Sequence, residues 1–311
     1  MLDTYFRDLG DAELWAPAGA VWVYSNLGAA LVGLAAEEAS GTPFAQLVAE
    51  QVLAPAAMHR ATLDADEVLA DGDFATGRSG IQRTSPDWGY FPTGYYGPMG
   101  GAWLTATDLV RWGQAHARAD PAVLPASSWD AMHTPWATTK QAPDQQHGYH
   151  LFLDVWQGTT VWSHGGSAPG FQATFAVLPD HGIAIAALVN GETLYAPWLM
   201  HAAVDELVGS RPPSASATVR PAEEWDRYVG SYHDPHELGA VEVWRDGLGL
   251  RASVESLACE GALQAWSEDA FALDCGTVLL PLTFWPTDDG AGSAWVSSVY
   301  GIAAATGHSP G

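Results

Sequence analysis

The stretch from Pro17 to Leu63, PAGAVWVYSNLGAALVGLAAEEASGTPFAQLVAEQVLAPAAMHRATL, predicts an extended lead-in followed by two helices. Leu27, Ala30, Leu31, Leu34 and Ala35 fall at the 0, 3, 4, 7, 8 spacing of one apolar helix face, so the spacing predicts a helix over 27–40. Asn26 stands where an N-cap would, and Gly41 follows as a C′ glycine. Pro43 opens a second helix, Phe44 to Leu53, which Pro55 stops.

Working outward, Asp71 to Gly101 is rich in Gly, Pro, Ser and aromatics without a sustained period, and reads as a long irregular segment of the kind that lines sites. Thr105 or Thr107 caps a helix running to about Ala119. Beyond Tyr149 the texture changes. HLFLDVW, TTVWSHGG, FQATFAVLP and GIAIAALVN are four short β-rich runs separated by turn residues, the pattern of an antiparallel meander. A helix from about Pro197 to Val208 follows, then a Pro- and Ser-rich stretch from Gly209 to Trp225 with the composition of a linker. YVGSYHD, AVEVWRDG and LGLRASV begin a small all-β region. The expected domains are 1–212 and 223–311, joined by a linker over 213–222.

Composition sets outer limits. In 311 residues, 48% are hydrophobic and 15% charged, which suits a packed core and excludes wholesale disorder. The 12 basic and 36 acidic residues leave a net charge of −24, which repels phosphate backbones and anionic lipid, so no nucleic acid partner is expected. The longest nearly unbroken apolar run, Leu27 to Ala36, falls short of the ~20 residues of a membrane helix, and no membrane insertion is expected. Cys259 and Cys275 stand in no C-x-x-C spacing; they read as core thiols, with one disulfide as the alternative. Eleven of the 12 basic residues are Arg, and the single lysine is Lys140.

Two small constellations carry chemistry. In Tyr24-Ser25-Asn26 a phenol and a carboxamide two residues apart precede a helix. The phenol can shuttle a proton if cations lower its pKa, and the amide can donate and accept at once. Taken alone, the triplet is equally a helix cap. In His164-Gly165-Gly166-Ser167 two glycines at the end of a β run let a substrate approach the strand edge. A backbone N–H there can donate to an oxyanion, and His164 can supply a proton or positive charge. Gly307 to Gly311 satisfies Gly-x-Ser-x-Gly, yet no helix can follow it, as a nucleophile elbow requires. His133, His147, His150 and His164 carry no recognised metal spacing and read as ordinary histidines; neither a metal nor an organic cofactor is implied.

Taken together, these pieces resemble the β-lactamase-related serine hydrolases, which include class C β-lactamases, D-alanyl-D-alanine peptidases and esterases of the same fold. The shared pattern is a Pro-Gly lead-in, Tyr-x-Asn, an apolar helix ending in Ser-Gly, a Pro-(Leu)-Gly-Met turn and a Thr. Here Pro17-Ala18-Gly19 has one extra residue, and Pro55-Ala56-Ala57-Met58 lacks the Leu and Gly. GPMGGAWLTATDLVRW, Gly97 to Trp112, resembles the Gly-Gly-x-x-Ser-Thr-x-x-Asp-Leu segment. His164-Gly165-Gly166 stands where the family has Lys-Thr-Gly or His-x-Gly, and GSAPGF matches its Gly-x-x-Pro-Gly-(Phe/Tyr) tail. The resemblance covers roughly residues 1–209; the β-rich tail resembles the small barrel-like domain of several members.

The resemblance implies an α+β, β-lactamase/transpeptidase-like fold, an antiparallel sheet with a helical lobe, plus a small all-β C-terminal domain. It implies acyl transfer to water through a covalent serine intermediate, with an ester, a D-amino peptide or a β-lactam as small-molecule or peptide substrate. Tyr24 would help activate the nucleophile or protonate the leaving group, and Asn26 would hold the acyl side-chain amide or a lysine. His164 would replace the third-motif lysine, the N–H of Ser167 would form half of the oxyanion hole, and Gly165 and Gly166 would line the substrate. The departure is the nucleophile. The family places it in Ser-x-x-Lys, and with Lys140 the sole lysine its serine would have to be residue 137, which is Ala137. No nucleophile is therefore expected in this chain, which resembles the family with its N-terminal portion removed. Two readings follow: an incomplete serine hydrolase, or a pseudoenzyme that binds a peptide or acyl ligand without reacting. A sheet edge left bare would favour self-association. The compartment is open, periplasmic or secreted if a leading segment has been lost.

Overall fold

A computed structural model describes residues 16–79, 82–84, 96–140, 145–191, 195–209, 221–235, 238–247, 249–275, 279–287, 290, 292–298 and 302–306. By its contacts the chain divides into two units, one built from 25–136 and 147–209, the other from 16–24, 137–146 and 221–306. The second unit thus draws two stretches from the first two-thirds of the sequence. The linker expected over 213–222 lies outside the described residues up to 220, as do the Gly-x-Ser-x-Gly of the C-terminus and residues 85–95 of the irregular segment.

The first unit pairs helices with a meander. The leading helix is Asn26–Ser40, closed by Gly41 at φ 67. Its N-cap is Ser25, whose hydroxyl accepts from the Gly28 N–H at 2.9 Å, so Asn26 is the first helical residue and not the cap expected from sequence. The second helix holds α geometry only over Phe44–Val48. Over Ala49–Leu53 it widens to i→i+5 bonding, and the Ala54 N–H reaches the Ala49 carbonyl at 3.0 Å. Ala106–Arg118 is capped by Thr105, whose side chain takes the Asp108 N–H while the Asp108 carboxylate reaches back, a complete capping box.

Four long strands, Phe152–Trp156, Thr159–Ala168, Phe171–Leu178 and Ile183–Val189, pair antiparallel in chain order as the sequence pattern predicts. On one side Leu109 packs with Leu151, Leu153, Phe175 and Val177. On the other, Trp156, Val161, Ala176 and Leu178 pack with Met200 and Val204 of the Tyr195–Val208 helix. Alternation along each strand sends successive side chains to these two layers. Among the described residues no helix is long and apolar enough to cross a membrane.

The second unit is a closed eight-stranded antiparallel barrel. Its interior is filled by Tyr228, Leu250, Phe271, Leu282, Phe284 and Val296 among others. Cys259 and Cys275 are joined in a disulfide with Cα atoms 5.3 Å apart, which corrects the reading of the pair as core thiols. The sheet brings them together from the start of Cys259–Ala265 and the end of Ala270–Asp274, adjacent strands in register from Leu263↔Leu273.

Candidate active site

The first unit collects three of the motif segments around one strand end. Thr62 and Trp103 exchange backbone hydrogen bonds of 2.9 and 2.8 Å, tying the end of the leading motif to the Gly97–Trp112 segment. Trp103 meets Phe171 edge to face at 5.6 Å, which joins that segment to the GSAPGF tail. Gly170 in that tail has φ +84 and sits so close to the Gly77–Ser79 strand that a Cβ would lie 2.7 Å from the Arg78 nitrogen; its carbonyl accepts from that N–H at 3.1 Å. Glycine is the residue that fits.

The third-motif strand is two-sided only in part. Thr159–Ser163 pairs with Trp156–Phe152, and that ladder ends at Phe152↔Ser163. Among the described residues, His164 to Ala168 continues the ladder against Phe175–Phe171. Gly165, Gly166 and Ser167 are exposed there. A Cβ on Gly165 or Gly166 would meet its nearest neighbour at 3.8 or 3.7 Å, ordinary contact distances. Among the described residues, packing does not demand glycine at either position.

One hydrogen bond orients the His164 ring. Its Nδ1 lies 2.5 Å from the Gly165 carbonyl oxygen, which can only accept, so Nδ1 carries a proton and donates it. Burial pushes its pKa below the usual 6.5, the hydrogen bond to Gly165 opposes the shift, and nearby His150 adds to it. The ring stacks on Phe152 at 5.7 Å. His147, edge-on to the same Phe152 at 5.1 Å, is pushed down to about 4 by burial and by His164 and His150. His150 sits at φ 57 in a turn closed by the Gly148 N–H to the Leu151 carbonyl at 2.9 Å. Sequence reasoning set His147 and His150 aside as loop histidines; the structure puts both in electrostatic reach of His164. The signal available was their place at the mouth of the strand that pairs with His164's own. His133, grouped with them in sequence, instead bonds to His116. Among the described residues no group of three or more His, Cys, Asp or Glu side chains is disposed to hold a metal ion.

Tyr24 belongs to the second unit, Asn26 and His164 to the first. The Tyr24 phenol is half-buried, and desolvation raises its pKa above 10. The shift is opposite in sign to the cation-lowered pKa that a proton-accepting phenolate needs, so at neutral pH the group is a hydrogen-bond and proton donor. Asn26 is exposed at the first turn of its helix. Lys140, the sole lysine, is engaged in the barrel unit, its Nζ 3.0 Å from an Asp269 carboxylate oxygen.

Comparison with known proteins agrees with this layout. Penicillin-binding protein 4 of Amycolatopsis lactamdurans is 27% identical over 232 residues, 67% of this chain and 57% of that protein. Beta-lactamase-like protein 2 of Dictyostelium discoideum is 26% identical over 162 residues, 50% of this chain and 28% of that protein. The chain therefore spans little more than half, or less, of these relatives. Among solved structures, SurE superposes with a TM-score of 0.69 at 20% identity, covering 97% of this chain and 72% of that one. The octameric penicillin-binding protein homologue from Pyrococcus abyssi gives 0.59 at 19% identity, with 97% and 69% covered. A class C beta-lactamase gives 0.55 at 17% identity, with 71% and 64% covered. These likenesses establish the β-lactamase/transpeptidase-like fold. A family model described as Beta-lactamase matches residues 3–209, two-thirds of the length, and on that match, with the motif segments assembled as above, the chain belongs to the beta-lactamase family.

Proposed function

We propose that this chain forms the second- and third-motif side of a serine-type acyl-transfer site for esters, D-amino peptides or β-lactams, and does not form an acyl-enzyme by itself. The observation that carries this reading is the glycine-lined end of the His164–Ala168 strand, laddered on one side among the described residues, in a chain whose family is that of beta-lactamases. An acyl carbonyl laid along that edge would take a hydrogen bond from the Ser167 N–H, where negative charge develops in the transition state. Asn26 would hold the amide of the acyl side chain. Tyr24, protonated, would give its proton to the leaving group as the bond to the acyl carbon breaks. Neutral His164 would accept a hydrogen bond at Nε2 and would not supply the positive charge of the lysine usual at this position.

The nucleophile is the missing partner. Acyl transfer in this family needs the Ser-x-x-Lys hydroxyl, and the 311 residues contain no such pattern. The pseudoenzyme reading, non-covalent capture of the same ligands, is favoured by the same absence together with an imidazole whose pKa burial lowers. The name of the Amycolatopsis relative makes penicillin the natural probe. Intact-mass measurement after incubation with benzylpenicillin or a fluorophosphonate should show no adduct on the chain. An adduct on any serine, or p-nitrophenyl ester turnover lost on Tyr24→Phe, would overturn the reading. Self-association stays part of the proposal, through the edge of Ile183–Val189, the last of the described strands in its sheet. Sedimentation showing only monomer would remove it.

A further inference from the structure

In the barrel, Leu280, Leu282 and Phe284 point inward, so by alternation Trp285 points out. Across the ladder Trp295 is its partner and also points out, since Val296 is in the core. An outward tryptophan on a small barrel would ordinarily meet water, yet these two are only 7% and 8% exposed. Something of the same unit covers them. Ala16, Val21 and Trp22, from the stretch that ends in Tyr24, pack against the cluster of Trp285, Ala294 and Trp295. From another side, Lys140 lays its ammonium over the Trp285 ring at 4.9 Å while it bonds Asp269. Asp269 is itself buried and takes the Tyr228 hydroxyl at 2.9 Å. The Trp285 indole N–H donates to the Ser297 hydroxyl at 2.8 Å. The ring is thus fixed by its edge and by one face, and it offers the lead-in a rigid apolar seat.

The geometry points to Trp285 as a positioning residue for Tyr24: the barrel's outer tryptophan pair seats the 16–22 lead-in and so fixes the phenol that follows two residues later. This rests on the role given to Tyr24 in the proposed function, and it assigns to the barrel a part in setting up that phenol. It also explains the sole lysine, which clamps Trp285 and Asp269 in place of any catalytic duty.

The test reads Tyr24 directly and needs no turnover. Site-resolved nitration by tetranitromethane, followed by peptide mass spectrometry, reports how often each phenol reaches solvent and ionises. Trp285→Ala and, separately, Val21→Ser in the 311-residue chain should each raise the Tyr24 nitration rate roughly threefold or more by freeing the lead-in. Trp285→Phe should return it to near the parental rate. Tyr228 and Tyr232, buried in the barrel, serve as internal controls and should stay slow. If Trp285→Ala also exposes those two, the barrel has opened and Val21→Ser, which leaves every barrel strand intact, decides. An unchanged Tyr24 rate in Val21→Ser overturns the assignment. A covalent penicillin adduct would overturn the function proposed above and leave this result standing, so the two failures are distinguishable.

Discussion

His116 Nδ1 lies 2.8 Å from His133 Nε2 inside a shell of aromatic rings. His116 meets Trp112 and Trp129 edge-on at 4.5 and 4.7 Å, and His133 stacks on Trp162 at 3.6 Å. One nitrogen of the pair must donate and the other accept, which two neutral rings can do. Burial pushes His116 down to about 3, with His133 contributing, and burial pushes His133 down to about 4 against the opposing pull of Asp130.

Both folded-state values lie below the unfolded value of 6.5, so the stability these rings contribute is complete above pH 6.5 and is lost as pH falls from 6.5 toward about 4. Over that window each ring should cost on the order of 1 kcal/mol per pH unit, less for the half-buried His133 than for the buried His116. Urea midpoints measured between pH 7.5 and 4.5 check this, and His116→Phe should flatten the slope. A midpoint that does not move with pH would contradict it.

The Cys259–Cys275 bond closes a hairpin 16 residues apart in sequence. Reducing it frees the unfolded barrel to sample open chains, and the barrel should lose ~3 kcal/mol. Urea unfolding with and without reductant, checked against the double Cys→Ser variant, measures the loss. Identical midpoints would show that the bond does not staple the barrel.

Thr105→Ala removes the side chain that satisfies the Asp108 N–H and strips Asp108, buried beneath the first turn, of a 2.8 Å hydroxyl partner. Arg111, at 3.0 Å, still pairs with it. The expected cost is about 1–2 kcal/mol by chemical denaturation, with Thr105→Ser recovering most of it. A loss within a few tenths would mean that the cap is replaced by water.

The legible parts of the molecule are those governed by periodicity. The 3.6-residue spacing from Leu27 to Ala35 located the first helix, and four β-rich runs with turn residues between them gave the meander in its observed order. Ser25 and Asn26 are both good capping residues, and only the extended backbone of Ser25, φ −143, decides between them. The disulfide depends on which strands become neighbours, and the outward tryptophan pair on barrel register; neither is a local property of sequence. At the site, the residue types at His164–Ser167 were readable, but the charge state of His164 was not. Burial lowers its pKa while the hydrogen bond to Gly165 opposes that shift, and both depend on the folded neighbours of the ring.

The proposed function requires Tyr24 and His164 to serve one ligand. A double-mutant cycle on non-covalent benzylpenicillin binding by calorimetry, using Tyr24→Phe, His164→Ala and the pair together, tests it most directly. Each single change should weaken binding, and their effects should couple by roughly 0.5–3 kcal/mol. Strictly additive losses, or binding indifferent to both changes, would contradict it.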